Sequence, residues 1–354
     1  MTASSLAAAP ATFLTTPIPL LDRSAKVLLI AAIFFMPLGT SPAYAFMALS
    51  ALAWFAAGGY RTRLLALRGN GMALAAVALY VLLLIGALYS TGEHGDISNE
   101  LRKYAKLLFM LPAFTLLAEP AWRERALNAF ALAMLITLVV SMLSVVWPLP
   151  YIRAVPGNHY VFKDHIIQNL MMAFFVLIML VRTTTAATLA ARLLYAGLAI
   201  LATVNVLAFV GGRTGHLALI GVIAVFAIFC VPARLRWLFL AGAMLAGVAI
   251  FQFSDTFRSR FELAVTEFEQ RDVNQLSSVG QRIEYARKSM QLISERPVFG
   301  WGTGAYPREF CRVAATEELC RLGRVHPHNQ FLGIGVQLGL VGILVYLVFL
   351  GAGL

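Results

Sequence analysis

The sequence predicts an all-α polytopic membrane protein with about ten or more transmembrane helices and one large polar loop. Three observations carry this reading. Hydrophobic residues make up 60% of the 354-residue chain and charged residues 13%, where soluble domains carry about 25% charged residues. The mean hydropathy is +0.78. Apolar runs recur at roughly the 20-residue length that crosses a hydrocarbon core, without the strict alternation of a membrane barrel. A bilayer offers the backbone no hydrogen-bond partners, so such runs are read as helices.

Taken in order, the first 20 residues are rich in Ala, Thr and Pro and read as a disordered lead. Spans are predicted over 25–40, 42–59, 72–90, 104–118, 126–147, 166–181, 193–210, 215–231, 237–253 and 328–350. The first two form a tight pair broken at Pro37-Leu38-Gly39. Arg23, Lys26, the apolar run after them and Ala43-Tyr44-Ala45 imitate a secretory signal. The second apolar run continues directly, which favours a hairpin of spans. Basic residues set the orientation. Arg61, Arg63 and Arg68, then Arg123 and Arg125, then Arg182 and Arg192, then Arg234 and Arg236 fall in loops on one side, the cytoplasmic one. Segments 91–103, 148–165, 211–214 and 254–327 then face the periplasm. This divides the chain into an N-terminal bundle of about nine spans (1–253), a periplasmic loop domain (254–327) and a C-terminal span (328–354).

The loop domain is too long and polar to be a connector. Within it, Val279–Glu295 has helical period, with Ile283, Ala286, Met290 and Ile293 on one stripe. Ser277 or Ser278 supplies a cap. Arg296-Pro297 ends the helix, because the residue before proline avoids helical geometry. Phe299-Gly300-Trp301-Gly302-Thr303-Gly304 then reads as a glycine-rich turn. Cys311 and Cys320 lie beyond it, either bridged, if the loop is outside the cytoplasm, or two free thiols. No internal repeat is visible. The chain stops at Leu354, directly after an apolar run, so it reads as truncated or as lacking later spans.

The net charge of +11 is spread between apolar runs. It is read as topology and lipid-phosphate contact, not as nucleic-acid binding. Several polar residues on the outer face are placed for chemistry. His328, in Val325-His326-Pro327-His328-Asn329, enters the last span. Proline favours the first helical turn, and the positive helix end favours the neutral imidazole that a general base requires. The bland alternative is an interfacial histidine with a structural hydrogen bond. Gly335 and Gly339 follow as a small-xxx-small pair that admits a close helix. His326 could pair with His328 on a metal, but no carboxylate or cysteine cluster accompanies them, so no metal is assigned.

Arg213, in Gly211-Gly212-Arg213-Thr214-Gly215-His216, opens a helix where backbone N–H groups and a guanidinium favour a phosphate. The alternative is an arginine reaching lipid headgroups. Arg282 sits in the first turns of the loop helix. Arg102, Lys103 and Lys106 precede the fourth span and could hold lipid phosphates; Lys163, Asp164 and His165 precede the sixth and are weaker candidates. No span carries an obvious central charge of the kind ion-coupled transporters use. No nucleotide loop, zinc motif or Ser/His/Asp motif appears.

These residues resemble the bacterial O-antigen ligase family. One family pattern, Arg-x3-Leu, is met by Arg213-Thr-Gly-His-Leu217. Another is met by His328-Asn329, nine residues, then Gly339-Leu-Val-Gly342. Gln281-Arg282 through Gly304 is similar to the family's loop helix and turn. The resemblance covers about 200–342 well, and earlier spans by hydropathy alone. It implies a GT-C-like architecture, about a dozen spans, and no cofactor. It further implies transfer of a glycan from undecaprenyl pyrophosphate to lipid A–core at the bacterial inner membrane, with the active site facing the periplasm. His328 would be the base, Arg213 and Arg282 the pyrophosphate ligands, and Asn329 the motif's second residue. O-antigen polymerases and protein O-oligosaccharyltransferases share the domain, so the acceptor stays open. A lipid-linked glycan transporter is the alternative from another class.

Overall fold

The computed structural model describes residues 14–147, 153, 157–253, 262, 266 and 278–353. Among these the chain is helical, with one isolated β-bridge, Pro17 to Gly58. In order, the helices are α1 (Pro19–Leu38), α2 (Thr40–Ala57), α3 (Tyr60–Arg68), α4 (Gly71–Leu88), α5 (His94–Tyr104), α6 (Met110–Leu116), α7 (Pro120–Val146), α8 (His165–Thr185), α9 (Leu189–Val204), α10 (Arg213–Cys230), α11 (Ala233–Phe253), α12 (Ser278–Glu295), α13 (Tyr306–Val313), α14 (Glu317–Gly323) and α15 (Gln330–Gly351). A 3₁₀ turn, Ala105–Phe109, joins α5 to α6, and a π-helical turn, Asn205–Phe209, continues α9.

Six helices among the described residues are long and apolar enough to cross a membrane: Thr40–Ala57, Gly71–Leu88, Pro120–Val146, His165–Thr185, Leu189–Phe209 and Gln330–Gly351. Thr214–Cys230 is apolar but shorter. Their outward leucines, such as Leu52, Leu201 and Leu344, are exposed, as lipid-facing side chains are. This is an all-α membrane protein; the expected ten or more spans exceed these six. Residues 104–118 do not form one span, because the run breaks into the 3₁₀ turn and the seven-residue α6. Helix α1 carries Asp22, Arg23 and Lys26 near its start. The expected disordered lead is also corrected for residues 14–20. Ile18 N–H donates to the Ala57 carbonyl at 2.7 Å, and α1 begins at Pro19.

The chain forms two compact units. One comprises Met1–Ala25, Ala51–Ala118 and Val265–Leu354; the other comprises Lys26–Ser50 and Glu119–Ala264. In the second unit, α8 packs against α9 and α10. Its core is Phe130, Met134, Leu138, Met172, Phe175 and Leu219 with their neighbours. Flexible methionines such as Met134 and Met172 fill irregular gaps between helices.

In the first unit, α15 packs on α4 and α12. The buried stripe of α12 is Tyr285, Ser289 and Leu292, not the predicted one: Ile283 and Met290 are exposed. The predicted stripe is rotated by about one residue because Tyr285 docks on the small loop helices, where Phe310 of α13 and Leu319 of α14 close over it. Helix α12 does begin at Ser278; Ser277, the other predicted cap, lies outside the described residues, as does most of 254–277.

The glycine-rich turn is the joint of this unit. Gly300, Gly302 and Gly304 all have positive φ, a region that side chains with a Cβ avoid. Trp301 N–H donates to the Val336 carbonyl at 2.9 Å, and Gly302 N–H to that of Gln337 at 2.8 Å. Those carbonyls are free because α15 bends at Gly339, with φ 62° and ψ −157°. On the far side of the bend, Leu340 N–H reaches the Pro297 carbonyl at 2.8 Å. A broken helix at membrane depth is tolerated where protein backbone satisfies the freed groups, and here the turn does so. Gln337, buried in an otherwise apolar helix, completes the joint: its Oε1 accepts from Gly304 N–H at 2.7 Å.

Gly339 has no room for a side chain, since a Cβ would lie 2.3 Å from the Val298 carbonyl oxygen. Gly339→Ala is therefore expected to destabilise the first unit by about 2–4 kcal/mol, from left-handed strain plus overpacking. Thermal unfolding in detergent measures it. Gly221, with open space at its Cβ position, serves as control, and Gly221→Ala is expected to melt as wild type. Equal melting of the two variants would refute the joint.

Candidate active site

Of the candidate residues in the first unit, His326, His328 and Asn329 lie directly before α15. His328 does not lie in the helical first turn as the proline suggested. Asn329 is the cap of α15, its Oδ1 accepting from the N–H groups of Phe331 and Leu332 at 2.9 and 3.3 Å. His328 precedes it at φ 54°, the one positive-φ non-glycine among the described residues. Left-handed geometry brings Cβ toward the following carbonyl, so such a residue needs local support. His328 is exposed, and its ring stacks on Tyr285 of α12, centroids 5.9 Å apart and 17° from parallel. Tyr285 is itself buried and meets Phe310 edge-on at 5.5 Å.

Arg282 stands one turn before Tyr285 on α12, and residues three apart share a helix face. It is exposed. Helix α5 contributes from another side. Lys103 lies over the Tyr104 ring at 5.4 Å and pairs with Glu100 at 3.2 Å. The Tyr104 hydroxyl accepts from the Gln330 side-chain amide. Burial, then the positive charge of Lys103, then His328 hold the His326 imidazole below the ordinary histidine range. Arg102 turns back on its own helix, to Asn99 Oδ1 at 2.8 Å and the Ser98 carbonyl. Lys106 is exposed in the 3₁₀ turn.

Cys311 of α13 and Cys320 of α14 are bonded, with Cα atoms 4.6 Å apart. The bridge clasps the two short helices whose Phe310 and Leu319 cover Tyr285, and so backs the surface that carries the His328 ring.

Arg213 and His165 belong to the second unit. Arg213 opens α10 after Gly212, whose backbone is extended at φ 173°. The turn before it is laced to side-chain amides, of which Asn169 is buried. Asn169 Nδ2 donates to the Val210 carbonyl at 3.0 Å, and Gly211 N–H donates to Asn158 Oδ1 at 3.2 Å. His159 N–H donates to the Phe209 carbonyl at 2.9 Å, at the end of the π-helical turn. Such turns often sit at functional sites. The His165 ring abuts the same turn, its Cδ2 3.3 Å from where a Cβ on Gly212 would stand. A Cβ on Gly215 would lie 2.5 Å from the Asn169 Cβ, so Arg213-Thr214-Gly215 fits only with glycine third. Two of the weaker candidates have structural tasks: Asp164 caps α8 through Ile166 and Ile167, and Lys163 donates to Thr40 at 2.6 Å.

Sequence reasoning missed Tyr285, Tyr104, Gln330, Gln337 and Asn169. The amides were legible as polar residues inside apolar runs, where an amide must find a partner.

No curated protein matches the chain. Residues 196–347 match the family model described as O-antigen ligase. That interval holds Arg213, Arg282, the glycine-rich turn, His326, His328, Asn329 and the bend at Gly339. Family members are glycosyltransferase-like enzymes. Over residues 196–347, somewhat under half of its length, the chain is similar to the O-antigen ligase family.

Proposed function

We propose that the protein is an O-antigen ligase that moves a glycan from undecaprenyl pyrophosphate to a sugar hydroxyl of lipid A–core, on the periplasmic side of the bacterial inner membrane. One observation carries the reading. The family match encloses both motif groups, and within it His328 stands exposed on a supported left-handed bend, its ring stacked on Tyr285 of α12. The arginine-rich loops favour a cytoplasmic position for the opposite side, and a Cys311–Cys320 bridge suits an oxidising compartment.

In this reading His328 takes the proton of the acceptor hydroxyl as its oxygen attacks the anomeric carbon of the donor sugar. The new glycosidic C–O bond forms as the bond to the pyrophosphate oxygen breaks, and undecaprenyl pyrophosphate leaves with the electron pair. One displacement inverts the anomeric configuration. Arg213 and Arg282 hold the pyrophosphate and offset the charge that grows on the leaving oxygen. Pyrophosphate leaves readily, so no strong general acid is required.

Lipopolysaccharide from a deletion strain separates this reading from its neighbours. Loss of a ligase leaves core without an O-antigen ladder, and complementation by wild type but not His328→Ala restores the ladder. Core bearing a single repeat would point to a polymerase. A normal ladder with unglycosylated pilin or other protein would point to protein glycosylation.

A further inference from the structure

We propose that His326 is a positioning residue, whose Nδ1 holds the left-handed bend at His328 and so aims the His328 ring; this rests on the reading of His328 as the base. His326 Nδ1 accepts the backbone N–H of His328 at 2.9 Å. An acceptor two residues before an amide is the arrangement by which asparagine closes a local turn. Here an imidazole takes that part, directly before the one described non-glycine residue of positive φ.

The bond requires an unprotonated Nδ1. The surroundings supply that condition, since burial and the Lys103 ammonium both disfavour a second positive charge on His326. The ring is also held in place. It is half-buried, shares a hydrogen bond with the Gln330 side chain, and rests against the first turn of α15, its Nε2 3.8 Å from the Cβ position of Gly333. The two imidazoles stand nearly perpendicular, 82° apart with centroids separated by 6.0 Å. One ring thus faces the backbone while the other lies flat on Tyr285. Without the acceptor, His328 is free to relax to negative φ, which turns its ring off Tyr285 and away from the acceptor hydroxyl.

The test is steady-state transfer by the purified full chain, with undecaprenyl-pyrophosphate glycan and rough lipopolysaccharide, for wild type, His326→Ala, His326→Leu, His326→Asn and His328→Ala. His326→Ala is expected to lower kcat about 10–100-fold with the donor KM unchanged, the loss that follows misplacement of a reacting group. His326→Leu, which keeps bulk without an acceptor, is expected to fall equally and stands in if the alanine variant fails to fold. His326→Asn, whose oxygen can accept the same N–H, is expected to recover at least a third of the wild-type kcat. Wild-type kcat in the alanine or leucine variant would overturn the proposal, as would an asparagine variant no better than leucine. If His328→Ala itself transfers normally, the base assignment fails, whatever the His326 variants do.

Discussion

His328→Ala is expected to lower glycan transfer by about 10²–10⁴-fold, the span associated with loss of a general base, while donor binding is largely kept. The loss should appear in kcat, because the proton is moved only in the transition state and the imidazole is not asked to hold the pyrophosphate. The surroundings sharpen the expectation. His328 is fixed by its backbone bond to His326 and by the Tyr285 face. His326 is the nearest other imidazole described, but its Nδ1 is committed to the His328 amide. If His328→Ala ligates normally, the residue is structural, and the bend, the stack and the cap at Asn329 serve only to start α15.

Arg213 should be nearly as sensitive. Arg213→Ala is expected to cost about 10²–10³-fold in kcat, comparable with removal of one preorganised donor to a developing charge. Arg213→Lys should stay impaired, because a compact ammonium lacks the planar fork that grips two phosphate oxygens at once. Direct transfer assays with all three proteins measure this. The expectation depends on a rigid mount: the turn before Arg213 is tied at Val210 and Gly211 to Asn169 and Asn158, and Gly215 sits against Asn169. A flexible mount would let lysine reach the same oxygens. Near-normal transfer by Arg213→Lys would therefore reduce the residue to a point charge.

Much of this was legible because the governing physics is local. Proline at 297 and the glycines at 300, 302 and 304 announced the end of α12 and the turn after it. Spans such as 72–90 and 166–181 needed only continuous apolar length. What was not legible depended on partners distant in sequence. The stripe on α12 follows Tyr285, because Phe310 and Leu319 wait for it some 25–35 residues later. Gly339 was readable as a small residue for helix packing, yet its task is to break α15 so that Val336, Gln337 and Leu340 pair with residues 297–302. Residues 104–118 are apolar enough for a span, but the backbone tightens after Tyr104, whose hydroxyl is held by Gln330. His328 was correctly placed beside the helix start and incorrectly within it, since proline at 327 marks the approach to the cap and Asn329 supplies it.

Ligase activity with His328 as its base is tested by glycan transfer in vitro by the purified protein, with undecaprenyl-pyrophosphate glycan as donor and rough lipopolysaccharide as acceptor, in EDTA and without ATP, wild type beside His328→Ala. Ligated product is expected from the wild type, with a loss of at least about 10²-fold in the variant. Absence of transfer to lipid A–core by a wild type that still binds donor would contradict it, as would a wild type that falls silent in EDTA and recovers with Mg²⁺.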